Sequence, residues 1–520
     1  MMDNKKLISA KAAAQLDKEA SLSWGLNAFT LVEAVGRTAA FRLVRVFPAL
    51  FQRKPKIAVF AGSGNNGADA MSMARSLILQ GKADDALLIL KKKPDVSCPQ
   101  TPHSQAFISL AKMNVPFLVW DAALSSSQYR EKLENFDIIL DGITGSGLEG
   151  EIKNQAAEMT HVINEVKNAR KISIDMPSGN FDGWNKEMPI VKADATLAIE
   201  PLKLCLYTPA ARPFAGRIIS VDGIFPQALM EACAEAELLD WETENQKIPM
   251  IQPDAYKYSR GVIEIHAGSI GATGAARIAA RGAEASGAGL IRLLVDEDIY
   301  PIVASSSGSV MVALPSVETR FSPDALLVGP GWGKGPKRLP ALQKAVEQDI
   351  PLVLDADAIR LANMAAAQFN GKTILTPHAG EFSAFSGASK EEILANPIPI
   401  LKKTAREKKA VVLFKSHVMF IAAEDGRIGV VDGMTPVLGA GGSGDLLAGL
   451  CAGIAGRMWR VKRMQTNVRA AGNNAFDAYT CACTAATLLI AAGKKARGFV
   501  DPFVLADNAA QLAADAWLGR

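Results

Sequence analysis

Short apolar runs recur along this chain, and nearly every one ends in a turn rich in glycine, asparagine or aspartate. KIAVF (56–60) runs into AGSGNNGADA (61–70), FDIIL (136–140) stops at Asp141, and KISI (171–174) stops at Asp175. ALLIL (86–90) and TLAI (196–199) have the same character. Apolar runs this short are strands buried on both faces. Helical stretches separate them. In the first, 7–22, Leu7, Ile8, Ala12 and Leu16 share a face while Asp17, Lys18 and Glu19 stay polar; others cover about 31–47 and 103–113. Strand–helix alternation dictates a mostly parallel sheet clothed on both sides. Ligands of such sheets gather at the carboxyl ends of the strands. Asn65, Asn66, Asp69, Asp141 and Asp175 all fall just past such ends.

The pattern fades after about 226, through an acidic stretch that reads as a linker or connecting helix, and then resumes. Strands are expected over 261–265, 290–295, 310–314, 325–328, 351–355, 373–375, 411–414 and 418–422, with helices over 273–286, 338–348, 443–455 and 475–491. At 520 residues the chain exceeds what one core usually supports. Two α/β domains are therefore expected, 1–226 and 251–520, joined by 227–250. A net charge of +4 and an aromatic content of 6% supply neither the basic stripe nor the stacking platform of a nucleic-acid binder. The six cysteines form no CxxC pair and the five histidines no zinc-ligand spacing, so the thiols read as reduced and mostly buried. No apolar run is long enough to span a bilayer and no signal peptide opens the chain, so no membrane partner and a cytoplasmic address are expected.

Each glycine-rich turn carries polar groups suited to a ligand. In AGSGNNGADA the glycines let backbone amides approach a phosphate at a helix start. Asn65 and Asn66 can bond a sugar or a carboxamide, or offer carbonyl oxygens to a cation; they also suit left-handed turn positions. DGITGSGLEG (141–150) and DMPSG (175–179) each join a strand-end aspartate to a loop of exposed amides. Asp141 and Asp175 also suit helix capping. Oxygen ligands from Asn66, Asp141 and Ser178 match a hard cation better than zinc.

The series GNNGxD, DxxxGxG and DxPSG resembles the N-terminal epimerase domain of the NAD(P)H-hydrate repair enzymes, the YjeF N-terminal domain, over about 10–225. That resemblance implies a Rossmann-like parallel-sheet domain. It implies that Asn65, Asn66, Gly67 and Asp69 contact a hydrated NADH or NADPH. Gly145, Ser146, Gly147 and Leu148 would cradle phosphate, and potassium would be held by Asn66, Asp141 and Ser178. Epimerisation at C6 of the nicotinamide ring proceeds by ring opening or by loss of hydroxide. Either route needs a carboxylate to move a proton, with Asp175 the first candidate and Asp141 the second. The family reads GNNGGDG where this chain has Ala68 and Ala70.

In the second half, GAGGSGDLLAGL (439–450) sets glycines before a helix, an anion hole with Asp445 in its first turn. A carboxylate there can deprotonate a substrate hydroxyl beside a phosphoryl group. GGSGD resembles the signature of ribokinase-like folds. With LLVGPGWGKG (326–335), PLVLDADAI (351–359), ILTPHAGEF (374–382) and VVLFKSHVMFIA (411–422), the region 250–515 resembles the ADP- or ATP-dependent NAD(P)H-hydrate dehydratase of the same family. The resemblance implies that Gly331, His378 and Asp445 meet the hydrate and that Lys415, Ser416, Gly442, Ser443 and Gly444 meet the nucleotide, with Asp445 the base. It implies magnesium for phosphoryl transfer and a tendency to form homo-oligomers. YKYSRG (256–261), AGSIGATGAA (267–276) and LFKSHVM depart from the family's motifs. Two other readings of the residues stay open: a ribokinase-like small-molecule kinase, and a nucleotide-binding regulatory protein with degenerate sites.

Overall fold

The structure, a computed structural model, describes residues 5–97, 99–465 and 476–519. Cys98 and the first residue of the helix expected over 475–491 lie outside the described residues. The chain separates into Met1–Glu237 and Leu238–Arg520, hereafter units 1 and 2. The division falls inside the stretch read as a connection, which carries structure of its own: helix Gln227–Glu231, strand Ala236–Leu238 and helix Trp241–Glu244.

Unit 1 is built on a parallel sheet of seven strands, in the order Phe117–Val119, Asp85–Leu90, Lys56–Ala61, Ile138–Gly142, Arg170–Ile174, Ala195–Ile199, Arg217–Val221. The strand-forming physics is visible in Lys56–Ala61. Ile57, Val59 and Ala61 enter one core and Ala58 and Phe60 the other, so period-two alternation feeds two apolar layers. Helices Ala10–Ser23, Ala28–Val46, Asn65–Leu79 and Pro102–Lys112 cover the first layer; Ser126–Leu133 and Asn154–Glu165 cover the second. The chain winds outward from Lys56–Ala61, then returns to its other side at Ile138–Gly142. That reversal opens a crevice at the carboxyl ends of these two strands.

The helix expected over 7–22 is shorter at its start. The first helix begins at Ala10, because Lys6–Ile8 is a strand that pairs parallel with Leu202 and Lys203. Leu7 and Ile8 are fully buried in that pairing, and the Ser9 hydroxyl accepts from the Ala12 amide at 3.2 Å to start the helix.

Unit 2 repeats the logic on a larger scale. Strands Met311–Ala313, Leu290–Leu294, Val262–His266, Ala325–Val328, Leu352–Leu354, Thr373–Leu375 and Val411–Phe414 lie side by side in that order and run parallel. Val418–Ala422 and Ile428–Asp432 extend the sheet antiparallel. Helices Thr273–Ala285, Ser443–Gln465, Ala478–Lys495 and Pro502–Trp517 bury a common apolar core against it. The 443 helix is longer than expected, and the last strand and helix carry no motif that singles them out. No helix among the described residues is long and apolar enough to cross a membrane. Cys205, Cys233, Cys451, Cys481 and Cys483 are unpaired thiols, and all but Cys233 are buried.

Candidate active sites

The unit 1 crevice is a cavity of about 740 Å³. Asn65, Asn66 and Asp69 reach it from the first turns of helix Asn65–Leu79, and Thr144 to Leu148 line it from the loop after Ile138–Gly142. Asp175 faces it from the turn after Arg170–Ile174. These three segments come together because each follows a strand of the same parallel sheet. Gly64 caps the helix without a side chain, which leaves the first amides of the helix facing the cavity. The two loops pack so closely that a Cβ on Gly142 would lie 2.6 Å from Ala70 Cβ and 2.7 Å from Asn66 O.

The structure separates roles that the motifs leave joined. Asn66 is helical rather than left-handed, and its Nδ2 donates to Thr144 O at 2.7 Å. Its Oδ1 is buried and has no hydrogen-bond partner. Asp141 lies beneath the cavity and caps no helix. It accepts from Ser173 Oγ at 2.7 Å, Ser178 N at 2.9 Å and Ser178 Oγ at 2.5 Å. Burial pushes its carboxyl up, against the pull of these donors. Ser178 Oγ also accepts from Thr144 N at 2.9 Å, so Asp141 and Ser178 together hold the loop. Gly67 sits behind the cavity against Gly62, not on its lining. The methyls of Ala68 and Ala70 are buried in the core and add no bulk to the lining.

Asp175 takes the left-handed conformation, φ 64°, rare for a residue with a side chain. It also caps no helix: Lys203 Nζ donates to its Oδ1 at 2.6 Å and to Ile199 O at 2.8 Å. Lys203, Asp17 and Glu200 line the cavity too, and the motifs single out none of them. A lysine in the apolar stretch TLAIEPLKLCL is a signal for Lys203. Asp17 offers no such signal, since a helix's polar face reads alike whether it meets water or a polar cavity.

In unit 2 the polar groups converge at the carboxyl ends of the parallel strands. Lys415 follows Val411–Phe414 and its Nζ lies 2.5 Å from Asp355 Oδ1, which follows Leu352–Leu354. Thr376 Oγ1 donates to the same oxygen at 2.7 Å. Burial alone would lower Lys415, but Asp355, Glu381 and Asp445 outweigh it and keep the amine charged. Asp445 stands in the first turn of helix Ser443–Gln465, and burial together with Asp355 pushes its carboxyl up to about 6. Gly444 has no side chain where a Cβ would lie 3.4 Å from Lys415 Nζ. Gly442 is left-handed, φ 94°.

His378 Nδ1 accepts from the Gly380 amide at 2.9 Å, and Glu381 returns a bond to the His378 amide, a reciprocal cap on helix Ala379–Ser386. The ring is 59% exposed and bridged through the backbone to Lys415. Ser443 Oγ donates to Leu438 O at 2.9 Å, and Ser416 Oγ to Val418 O within its own hairpin. Gly331, φ 55°, lies against Ala272 and Ala275, with its carbonyl accepting from Ser269 Oγ at 2.8 Å. Asp355 is the unit 2 residue that motif reading passed over; its position at a strand end was the available signal. Among the described residues, no three His, Cys, Asp or Glu side chains cluster as a metal site.

A family model described as YjeF-related protein N-terminus matches residues 29–205, and one described as NAD(P)H-hydrate dehydratase matches 263–508. The bifunctional NAD(P)H-hydrate repair enzyme Nnr of Salinibacter ruber is 28% identical over 486 residues, spanning 86% of this chain and 87% of that one. The Coxiella burnetii enzyme of the same name is 29% identical over 443 residues, spanning 83% and 86%. A crystal structure of the ADP/ATP-dependent NAD(P)H-hydrate dehydratase from Bacillus subtilis with ATP and Mg2+ is similar at 22% identity and a TM-score of 0.45, covering 52% of this chain and 96% of that chain.

Proposed function

The chain belongs to the bifunctional NAD(P)H-hydrate repair family, and from that membership we propose how its two sites divide the work. Unit 1 interconverts the R and S hydrates of NADH and NADPH. Unit 2 dehydrates the S hydrate with ADP or ATP. The observation that carries this reading is the match of both family models to one chain, each over a unit with polar residues gathered at the carboxyl edge of its parallel strands.

In unit 2, Asp445 accepts the proton of the C6 hydroxyl as that oxygen takes a phosphoryl group. Its raised pKa lets it hold a proton transiently while staying mostly ionised at neutral pH. The amides that open helix Ser443–Gln465, with the room left by Gly444, receive the phosphoryl group beside Lys415. Asp355 keeps that lysine in place. Phosphate then leaves C6 with the bonding pair, the C5 proton passes to water, and the C5–H electrons restore the double bond. Magnesium, when bound with the nucleotide, would supply charge neutralisation for the phosphates that the helix amides and Lys415 receive.

In unit 1 the amides of Gly145 to Leu148 and the start of helix Asn65–Leu79 bind phosphate, and Asp69 and Asp175 face the reacting ring. The unpartnered Asn66 Oδ1, with the oxygens of Asp141 and Ser178, suits potassium, which when bound places positive charge beneath the phosphate-binding loop. We read Asp141, fully buried and held by four donors, as a cation and loop anchor rather than as the proton carrier. The unpaired cysteines accord with a reducing, cytoplasmic setting.

The test is recovery of dihydronicotinamide absorbance from a mixed pool of R and S hydrates by the full-length enzyme with magnesium, potassium and ADP or ATP. Complete recovery, faster than an S-specific dehydratase alone achieves through spontaneous epimerisation, is the expected result. A stop at the S fraction removes the unit 1 assignment. No recovery with either nucleotide removes that of unit 2.

A further inference from the structure

Four ionisable groups from four separate elements meet in the unit 1 cavity. Asp17 comes from helix Ala10–Ser23, Asp69 from helix Asn65–Leu79, Asp175 from the left-handed turn, and Lys203 from strand Leu202–Lys203. Lys203 is committed to Asp175 and to a carbonyl. The other charged lining groups are Lys18, exposed at the rim, and Glu200, whose Oε1 is held by the Ile224 and Phe225 amides. Three carboxylates thus face one buried ammonium. Ionising all three in a partly dry wall is costly, and such clusters keep a proton. Burial pushes both Asp69 and Asp17 up, Asp69 the further of the two, while Asp175 is ion-paired to Lys203; carboxyls in such unlike settings can divide acid and base roles in one site. The same cavity exposes Asn66, 9% accessible, whose Oδ1 lacks a partner, a second mark of a surface built for a ligand. Asp17 lies before the first residue matched by the family model, 29.

Resting on the assignment of unit 1 as the epimerase, we infer that Asp17 is its general acid, working opposite Asp175 as base. If the C6–O bond breaks, Asp17 gives its proton to the departing oxygen, which leaves as water with the bonding pair. Water then adds to the other face of C6 and yields a proton to Asp175. If the C6–N bond breaks, Asp175 takes the hydroxyl proton while Asp17 protonates the ring nitrogen; rotation and reclosure return both protons. In the first route the proton gained by Asp175 passes back to Asp17 within the cluster, so atoms and charge balance over a cycle. Lys203 is a positioning residue that holds the Asp175 carboxyl in place through their 2.6 Å contact.

The test is the rate of R to S interconversion by the full-length protein, followed chromatographically from the mildly acid to the neutral range, for wild type, Asp17→Asn and Asp17→Glu. Asp17 is pushed up to about 6, mainly by burial, with Asp175 adding to the rise and Lys203 opposing it. The wild-type rate is therefore expected to fall as pH rises through that region and the acid loses its proton. Asp17→Asn is expected to lower kcat on the order of 100-fold, abolish that fall and leave KM nearly unchanged. Asp17→Glu is expected to restore part of the rate together with the pH-dependent fall. Dehydration of pure S hydrate by unit 2 serves as the folding control in every variant. An Asp17→Asn enzyme with wild-type kcat and pH profile, or a loss confined to KM, overturns the inference. A wild-type chain that leaves the epimers unmixed instead overturns the unit 1 assignment.

Discussion

Asp445 shows how placement sets the chemistry of a common side chain. In water a carboxylate is a weak base, but half-enclosed beside Asp355 its pKa rises to about 6. Below that value it is protonated and, as the proposed base, cannot accept the hydroxyl proton. The dehydration rate measured on pure S hydrate is therefore expected to climb with pH through about 6 and then level off. Asp445→Asn should lower kcat roughly 100- to 10,000-fold, checked by single-turnover kinetics on the same hydrate. Lys415 and Asp355 form a different kind of pair, both largely buried. Replacing Lys415 by Met strands a buried carboxylate, and a loss of about 3 kcal/mol in the denaturant unfolding of unit 2 is expected. Asp445 was legible because a glycine-rich turn announces it. Asp355 and Lys203 carried only weak signals, a strand-end position and a lysine in an apolar run, because their partners lie on distant strands and no local spacing reports the pairings.

Helix Ser443–Gln465 carries the proposed phosphoryl-binding end of unit 2, and its position depends on how close it can come to helix Thr273–Ala285. A Cβ on Gly449 would strike the Ala279 carbonyl, and one on Gly453 the Ser286 hydroxyl. Backbone cannot retreat as a flexible side chain can. Gly449→Val is expected to cost about 1–3 kcal/mol, read as a lower midpoint for unit 2 with the unit 1 transition unmoved. Most strands were legible from their apolar runs, yet the first helix was read three residues too long at its start. Leu7 and Ile8 fit an amphipathic helix as well as a strand, and pairing with Leu202 and Lys203 decides between them. Short helices such as Asp357–Met364 and Ala379–Ser386 escaped because so few turns show little periodicity.

For the whole molecule, two sites on two sheets predict separable losses. Asp445→Asn should leave epimerisation intact, so an R-only sample still equilibrates with S, as chromatography without nucleotide would show. Replacing potassium by lithium should slow epimerisation while dehydration of pure S hydrate holds steady, measured as paired rates. The alternation of apolar runs with helices determined, by itself, two parallel-sheet α/β folds, and the glycine-rich strand ends determined where each candidate site was expected. Burial on both faces of a sheet is written in consecutive residues, and so is the turn that follows a strand. Which aspartates ended up beside which lysine was settled only in three dimensions. Asp17 joins Asp69, Asp175 and Lys203 because two helices, a strand-end turn and a short strand meet at one crevice. Charge–charge energies depend on distance and local dielectric, and neither is set until the chain has folded.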